Sequence, residues 1–369
     1  MFHDHAVELC CRYTGEASSG VMERIRTLPP GSPLIPRALG DQEFLESQVL
    51  RALLEYPTTY TTRPLRIRQV IPRESEMVVR FAADSDPDGL AELIAWGLFP
   101  TGGEDDLRGI CGLRVLRAKH NRIDVGLLGT TASIRLAGIP EKAWKAAVEL
   151  RYRRQDRASV PFRRRELTSG EAAFTRAHTW SDEAWREAAA LGSALLRRLM
   201  IFRTGADWLD MAGFTKHNNT YGFTLTFAKP HWTPHDELIQ HLTHPEFGIA
   251  LNEDMRTCSC NYGARGCRIW FDGPGHGTGR LDLQLLEADT PCEIAEYNQA
   301  LTFAGSPHQE IRRTTGHVPG MAADCAPHCH SRHGTVAHLK RMKEARSKHR
   351  EQLLPGLART GAGRRGSGR

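Results

Sequence analysis

LRIRQVIPRESEMVVRF (residues 65–81) and LRVLRAKHNRIDVGLLGTTASIRLAGIPEKAWKAAVELRY (residues 113–152) carry the pattern that decides the fold. In the first stretch apolar and polar residues alternate with a period of two, as in strands that bury one face. Leu65–Ile71 and Glu76–Phe81 read as strands. The second stretch gives Leu113–Leu128, broken at Lys119–Asn121, and Ser133–Leu136. Pro140 then opens a helix whose Trp144, Ala147, Val148 and Tyr152 recur at helical spacing. Between the strand pairs, Ser85 or Asp86 can cap a helix with Pro87 in its first turn and Leu90, Leu93, Ile94 and Leu98 on one face. Strand, helix, strand, strand, helix is the order of a split β-α-β unit, a sheet covered on one face by helices.

Patterning extends outward in both directions. PPGSPLIPRALG (29–40), with four prolines, predicts a loop or strap, and Asp41 is placed to cap a helix bearing Phe44, Leu45, Val49, Leu50, Leu53 and Leu54. Downstream, residues 166–212 read as helical, with SDEAWREAAALGSALLRRLMIF (181–202) rich in helix formers and Ser181 as its cap, and YGFTLTFA (221–228) reads as a strand. Thr233–His241 reads as a short helix, Cys267–Asp272 and Arg280–Leu286 as strands joined by a glycine-rich loop, and Pro291–Phe303 as another helix. No internal repeat is visible. The expected fold is α+β: mixed or antiparallel sheets with helices packed on one face. It divides into an irregular segment 1–40, an α+β domain 41–165, a second α+β region 166–339, and a disordered basic tail 340–369 that is too polar to fold.

Composition bounds the class. With 40% hydrophobic and 25% charged residues, the chain can bury an ordinary globular core. No apolar run approaches the roughly 18 residues a membrane helix needs, and MFHDHAVELCCRYTGE lacks the basic start and apolar core of an export signal. A cytoplasmic protein with no membrane partner is expected. Its nine cysteines are then reduced, and their odd count makes a poor disulfide framework. The net charge of +6 is unevenly spread: residues 340–369 hold ten Lys/Arg against two Glu, so the tail alone is +8 and the other 339 residues sum to −2. Gly-, Ala- and Arg-rich usage fits a bacterial or mobile-element source with a GC-rich genome.

Two Cys/His clusters could hold zinc, which takes about four thiolate or imidazole ligands in tetrahedral array. The first is Cys258-Ser-Cys260…Cys267, whose intervening Gly263 and Gly266 let the backbone turn around an ion. The second holds Cys325, His328, Cys329 and His333, with His338 beyond. Neither has the spacing of a standard paired knuckle. Acting together they could close one structural site. A third group, His231, His235, Asp236 and Glu237, offers weak catalytic candidates, with Glu237 and His241 one helical turn apart.

An Arg-rich island, RYRRQDRASVPFRRRE (151–166), sets seven Arg against two acids. Arg151, Arg153, Arg154, Arg157, Arg163, Arg164 and Arg165 could contact phosphates, with Tyr152 and Phe162 interleaved to stack on bases. The favoured function is a nucleic-acid-binding protein with a structural zinc site. A metal-dependent enzyme acting on a nucleic acid or another phosphate-bearing substrate is one alternative, and a non-enzymatic adaptor with a protein partner is another. If Cys258, Cys260 and Cys267 share one ion, Cys260→Ser lowers the zinc that co-purifies with the protein, measured by elemental analysis. Unchanged zinc content refutes the shared site.

Overall fold

The computed structural model describes residues 2–29, 32–55, 64–82, 87–102, 107–155, 162–177, 183–204, 210–216, 220–227, 235–249, 251–258, 266–273 and 279–287. Strands β1 (Ile67–Pro72), β2 (Glu76–Phe81), β3 (Leu113–Lys119), β4 (Arg122–Leu127) and β5 (Ser133–Ala137) form one sheet, in the order β1-β2-β5-β4-β3. β2 and β5 run parallel, and the other neighbours are antiparallel. Met77, Val79 and Phe81 turn to the apolar face, and Glu76, the buried Val78 and Arg80 to the other, in the period-two pattern of a strand.

Helices cover the apolar face. They are α3 (Gly40–Leu54), α4 (Pro87–Glu92), which continues as a π-helical turn through Leu98, and α5 (Glu141–Arg154). The expected α+β fold, a mixed sheet with helices on one face, is what forms. The split β-α-β order differs in one respect: β1 and β2 make a hairpin before the helix, and three strands follow it. Asp41 does not cap α3. The N-cap position is Leu39, and Asp41 lies in the first turn, where its charge complements the helix dipole.

The second half repeats this plan. After α6 (Ser169–Ala177), α7 (Glu183–Arg197) and α8 (Ile201–Thr204) come β6 (Asp210–Lys216), β7 (Thr220–Phe227), α9 (His235–Leu242), β8 (Asn252–Cys258), β9 (Gly266–Asp272) and β10 (Arg280–Glu287). The helical reading of residues 166–212 fails at its end, where a strand begins at Asp210 and pairs with β7. The sheet order is β6-β7-β10-β9-β8, again with only the β7–β10 pair parallel. Each half is therefore a long helix, a hairpin, a helix and a three-strand meander. The sequence shows no repeat because each half reproduces lengths and alternation, which many residue choices satisfy, and not identities.

The segment 1–40, expected to be irregular, holds two helices. Phe2–Thr14 forms α1 and Ser18–Thr27 forms α2. Val7, Cys10 and Tyr13 of α1 are buried, the Tyr13 hydroxyl donates to the His241 carbonyl at 2.7 Å, and the Met200 amide donates to the Tyr13 carbonyl at 3.2 Å. The helix is held by partners more than 180 residues away, which a local pattern cannot reveal. The expected tail and the Pro291–Phe303 helix lie outside the described residues. No helix among the described residues is long and apolar enough to cross a membrane.

The two halves meet where α3 packs along α7. Gly192 makes the approach possible: a Cβ there would sit 2.3 Å from the Tyr221 hydroxyl and 2.8 Å from Ser47 Cβ. At this seam the Arg197 guanidinium donates to Glu46 through Nε (2.7 Å) and Nη2 (2.6 Å), and both side chains are fully buried. Ser193 Oγ and Gln42 Nε2 also donate to that carboxylate, at 2.6 and 2.8 Å. Arg197 further donates to the carbonyls of Pro36 and Arg73. Removing one partner leaves a buried charge uncompensated. Glu46→Ala is expected to cost about 3–5 kcal/mol in urea unfolding, whereas the double variant Glu46→Leu/Arg197→Met costs far less than the two single changes combined.

Candidate nucleic-acid interface

The outer face of the first sheet carries cations in register. Arg135 on β5 lies across from Val78 on β2 and Asp124 on β4, and Asp124 faces Arg117 on β3. In the next row Arg80 on β2 faces Ala137, followed by Arg122 and Lys119. Arg80, Arg117 and Lys119 are exposed, and among the described residues they form no ion pair. Two carboxylates share the face. Asp124 accepts from Arg122 (2.9 Å) and Arg135 (3.2 Å), and Glu76 is paired with Arg73 at 2.7 Å. Five strand cations thus stand against two acids. No aromatic side chain of the described strands points to this side.

The face is bounded at β3 by residues 162–171. The Val115 amide donates to the Phe162 carbonyl at 2.7 Å, so this segment runs along the outer strand. Arg114, on the outer face but only 3% exposed, locks it in place. Its guanidinium donates to Glu171 at 2.8 and 2.9 Å, and to the carbonyls of Arg164 (3.1 Å) and Glu166 (2.8 Å). Glu171 also accepts from the amides of Gly112 and Thr168, each at 2.8 Å. Burial pushes the Glu171 carboxyl up, but the hydrogen bonds from Arg114, Thr168 and Gly112 outweigh it, and the group titrates below its ordinary range. The result is a loop whose Arg163, Arg164 and Arg165 side chains are exposed beside the sheet. Arg117 lies three residues from Arg114 on β3, roughly 10 Å along the strand. The sheet face and the loop are therefore neighbours.

The Arg-rich island is split by the fold. Arg163, Arg164 and Arg165 flank the basic face. Arg153 and Arg154 are exposed but belong to α5, in the helix layer on the other side of the sheet, where Arg153 pairs with Glu149 at 3.0 Å. Arg157 lies outside the described residues.

Arg151 is not a phosphate-contacting residue. It is fully buried, and its guanidinium donates to the carbonyls of Ala95, Phe99 and Pro100 at the end of the π-helical turn. It also sits 5.4 Å from the Trp96 ring and 5.0 Å from the Phe162 ring. Phe162 offers no face to a base, because it is 3% exposed and packs edge-on against Phe99, Trp144 and Tyr152; Tyr152 is partly exposed on α5, in the helix layer.

The metal candidates are only partly placed. Cys267 is a buried, core-facing residue of β9, with Ile269 and Phe271 on the same side. Cys258 ends β8 opposite Ile269, so its ladder position is diagonal to that of Cys267. His235, Asp236 and Glu237 open α9. Cys260, Cys325, His328, Cys329, His333 and His231 lie outside the described residues. Among the described residues no group of three or more His, Cys, Asp or Glu could hold an ion.

Arg80, Arg117, Lys119, Arg122 and Arg135 are not among the site residues expected from sequence, although the signal is present. EMVVRF, RIDVGL and SIRLA each carry a cation at an outward position of the alternation. Comparison with family models, curated proteins and solved structures finds no match to this chain.

Glu171→Ala strips the buried Arg114 of its counter-ion and should cost about 3–5 kcal/mol of stability. Because the folded-state carboxyl titrates below the unfolded one, its contribution is fully present above the ordinary carboxylate range. It disappears as pH falls through the folded-state value. Urea unfolding across the acid range should therefore show a steeper decline for the wild type than for the variant.

Proposed function

We propose that the protein binds nucleic acid through phosphate contacts made by the outer face of the first sheet and the adjoining Arg163–Arg165 loop. The observation that carries this reading is the row arrangement of Arg80, Arg117, Lys119, Arg122 and Arg135 beside that loop, on a face with two carboxylates. From β2 to β3 the face spans three strand spacings, roughly 14 Å, enough to meet several phosphates of one strand. Each phosphate neutralised releases condensed counterions, which gives affinity without any reading of bases. The lack of an aromatic platform among the described strands of this face argues against base stacking, so weak sequence preference follows. A structural ion on Cys258, Cys260 and Cys267 would lie in the other sheet, and this mode of binding does not require it.

The test compares the full-length protein with two variants, Arg117→Ala/Lys119→Ala/Arg163→Ala/Arg165→Ala and Arg153→Ala/Arg154→Ala. Each is titrated with a labelled duplex and a labelled single strand at two salt concentrations. The first variant should bind at least tenfold more weakly, with the log–log salt slope shallower by about 0.9 for each duplex phosphate it no longer neutralises. The second should bind as the wild type does. Wild-type affinity and slope in the first variant overturn the proposal and move the phosphate-binding role to the basic tail.

A further inference from the structure

A cavity of about 450 Å³ lies between the first turns of α3, the open end of the β3–β4 hairpin, and α6 and α7. Packed interiors leave few voids larger than a water molecule, whereas ligand pockets run from roughly 300 to 1,000 Å³. Its walls are mainly apolar, with Phe44, Ile110, Leu128 and Leu167 among them. Leu167 at the rim is 37% exposed, so the cavity opens to solvent beside an apolar edge.

Its charged groups are of one sign, and its other polar groups, Gln48, Thr130 and Thr175 among them, are neutral. Asp41 and Glu43 are the only charged groups among the described lining residues. Glu43 is paired with Arg37 at 3.1 Å, which leaves Asp41, exposed in the first turn of α3, as the free carboxylate at the mouth. Cys111 and Thr175 line the opposite wall, with Sγ and Oγ1 3.5 Å apart. Burial raises the Cys111 thiol above its usual range, so it remains a protonated, apolar wall group.

We propose that this cavity is a binding site for a compact, mainly apolar organic molecule that is either uncharged or carries an ammonium group, with the ammonium at Asp41. An anionic ligand of the same shape would place its charge beside Asp41 and Glu43, with no cation among the described lining residues to meet it. The site adjoins the 162–171 segment through Leu167 but uses none of the cations of the basic face, and its test does not depend on nucleic-acid binding.

Cys111 supplies the readout. The full-length protein is titrated with 1-naphthylmethylamine, 1-naphthylmethanol or 1-naphthoate. Alkylation of Cys111 by iodoacetamide is followed by peptide mass spectrometry, with the half-exposed Cys11 as an internal reference. The amine and the alcohol should slow Cys111 alkylation at least fivefold, at concentrations where naphthoate does not, and Cys11 should keep its rate. In Asp41→Asn, a surface change at the start of α3, the amine's advantage over the alcohol should disappear. Equal protection by all three compounds, no protection of Cys111, or equal slowing of Cys11 overturns the proposal.

Discussion

The buried pair of Glu46 and Arg197 is the constraint on which the rest of the molecule depends. Two charges withdrawn from water cost several kcal/mol each unless every lone pair and N–H finds a partner. Here the partners come from four parts of the chain: Ser193 beside Arg197, Gln42 beside Glu46, the carbonyl of Pro36 in the proline strap, and the carbonyl of Arg73 at the β1–β2 turn. Gln42 passes the network on to β5, where it exchanges hydrogen bonds with the Ser133 backbone at 2.9 and 3.2 Å. One ion pair therefore sets the relative positions of α3, α7, the strap and the first sheet. Removal of either charge would strand the other in the core, and loss of a carbonyl partner would leave a buried guanidinium N–H unmet.

Around that seam the same topology is built twice, with different outer surfaces. On the second sheet Arg268 is neutralised by a two-pronged pair with Asp282 and lies 4.8 Å over the Trp270 ring. Arg280 is paired with Asp272 at 2.8 Å. Each of these two arginines has its own carboxylate. On the first sheet Arg80, Arg117 and Lys119 are exposed and form no ion pair among the described residues. This difference between the two surfaces is what the proposed phosphate contacts rest on.

Arginine plays two opposite parts in this chain. Arg114, Arg151 and Arg197 are all buried, and each works as a multi-donor clamp on backbone carbonyls. The planar guanidinium can satisfy several acceptors at once, which suits it to helix ends and loop crossings in a core. A count of arginines therefore overstates the surface charge. The island at 151–166 shows this directly: of its six described arginines, one is internal, two lie in the helix layer, and three flank the basic face.

The α+β class, most strands and the long helices could be read from the chain, because period-two and helical alternations follow from burying one side of a local element. Glu76–Phe81 is a strand at the bounds expected of it, and the break at Lys119–Asn121 is the β3–β4 turn. The outward cations of the first sheet were legible by the same rule. Tertiary structure alone decided the rest. The helices in residues 1–40 depend on Tyr13 meeting His241 and Met200. The repeat of one topology depends on lengths and directions, not residue identity. Whether an arginine faces phosphate or core depends on which carbonyls the distant chain brings to it. Local sequence determines which side of an element is buried, and only the packed molecule determines what that side, or its opposite, will meet.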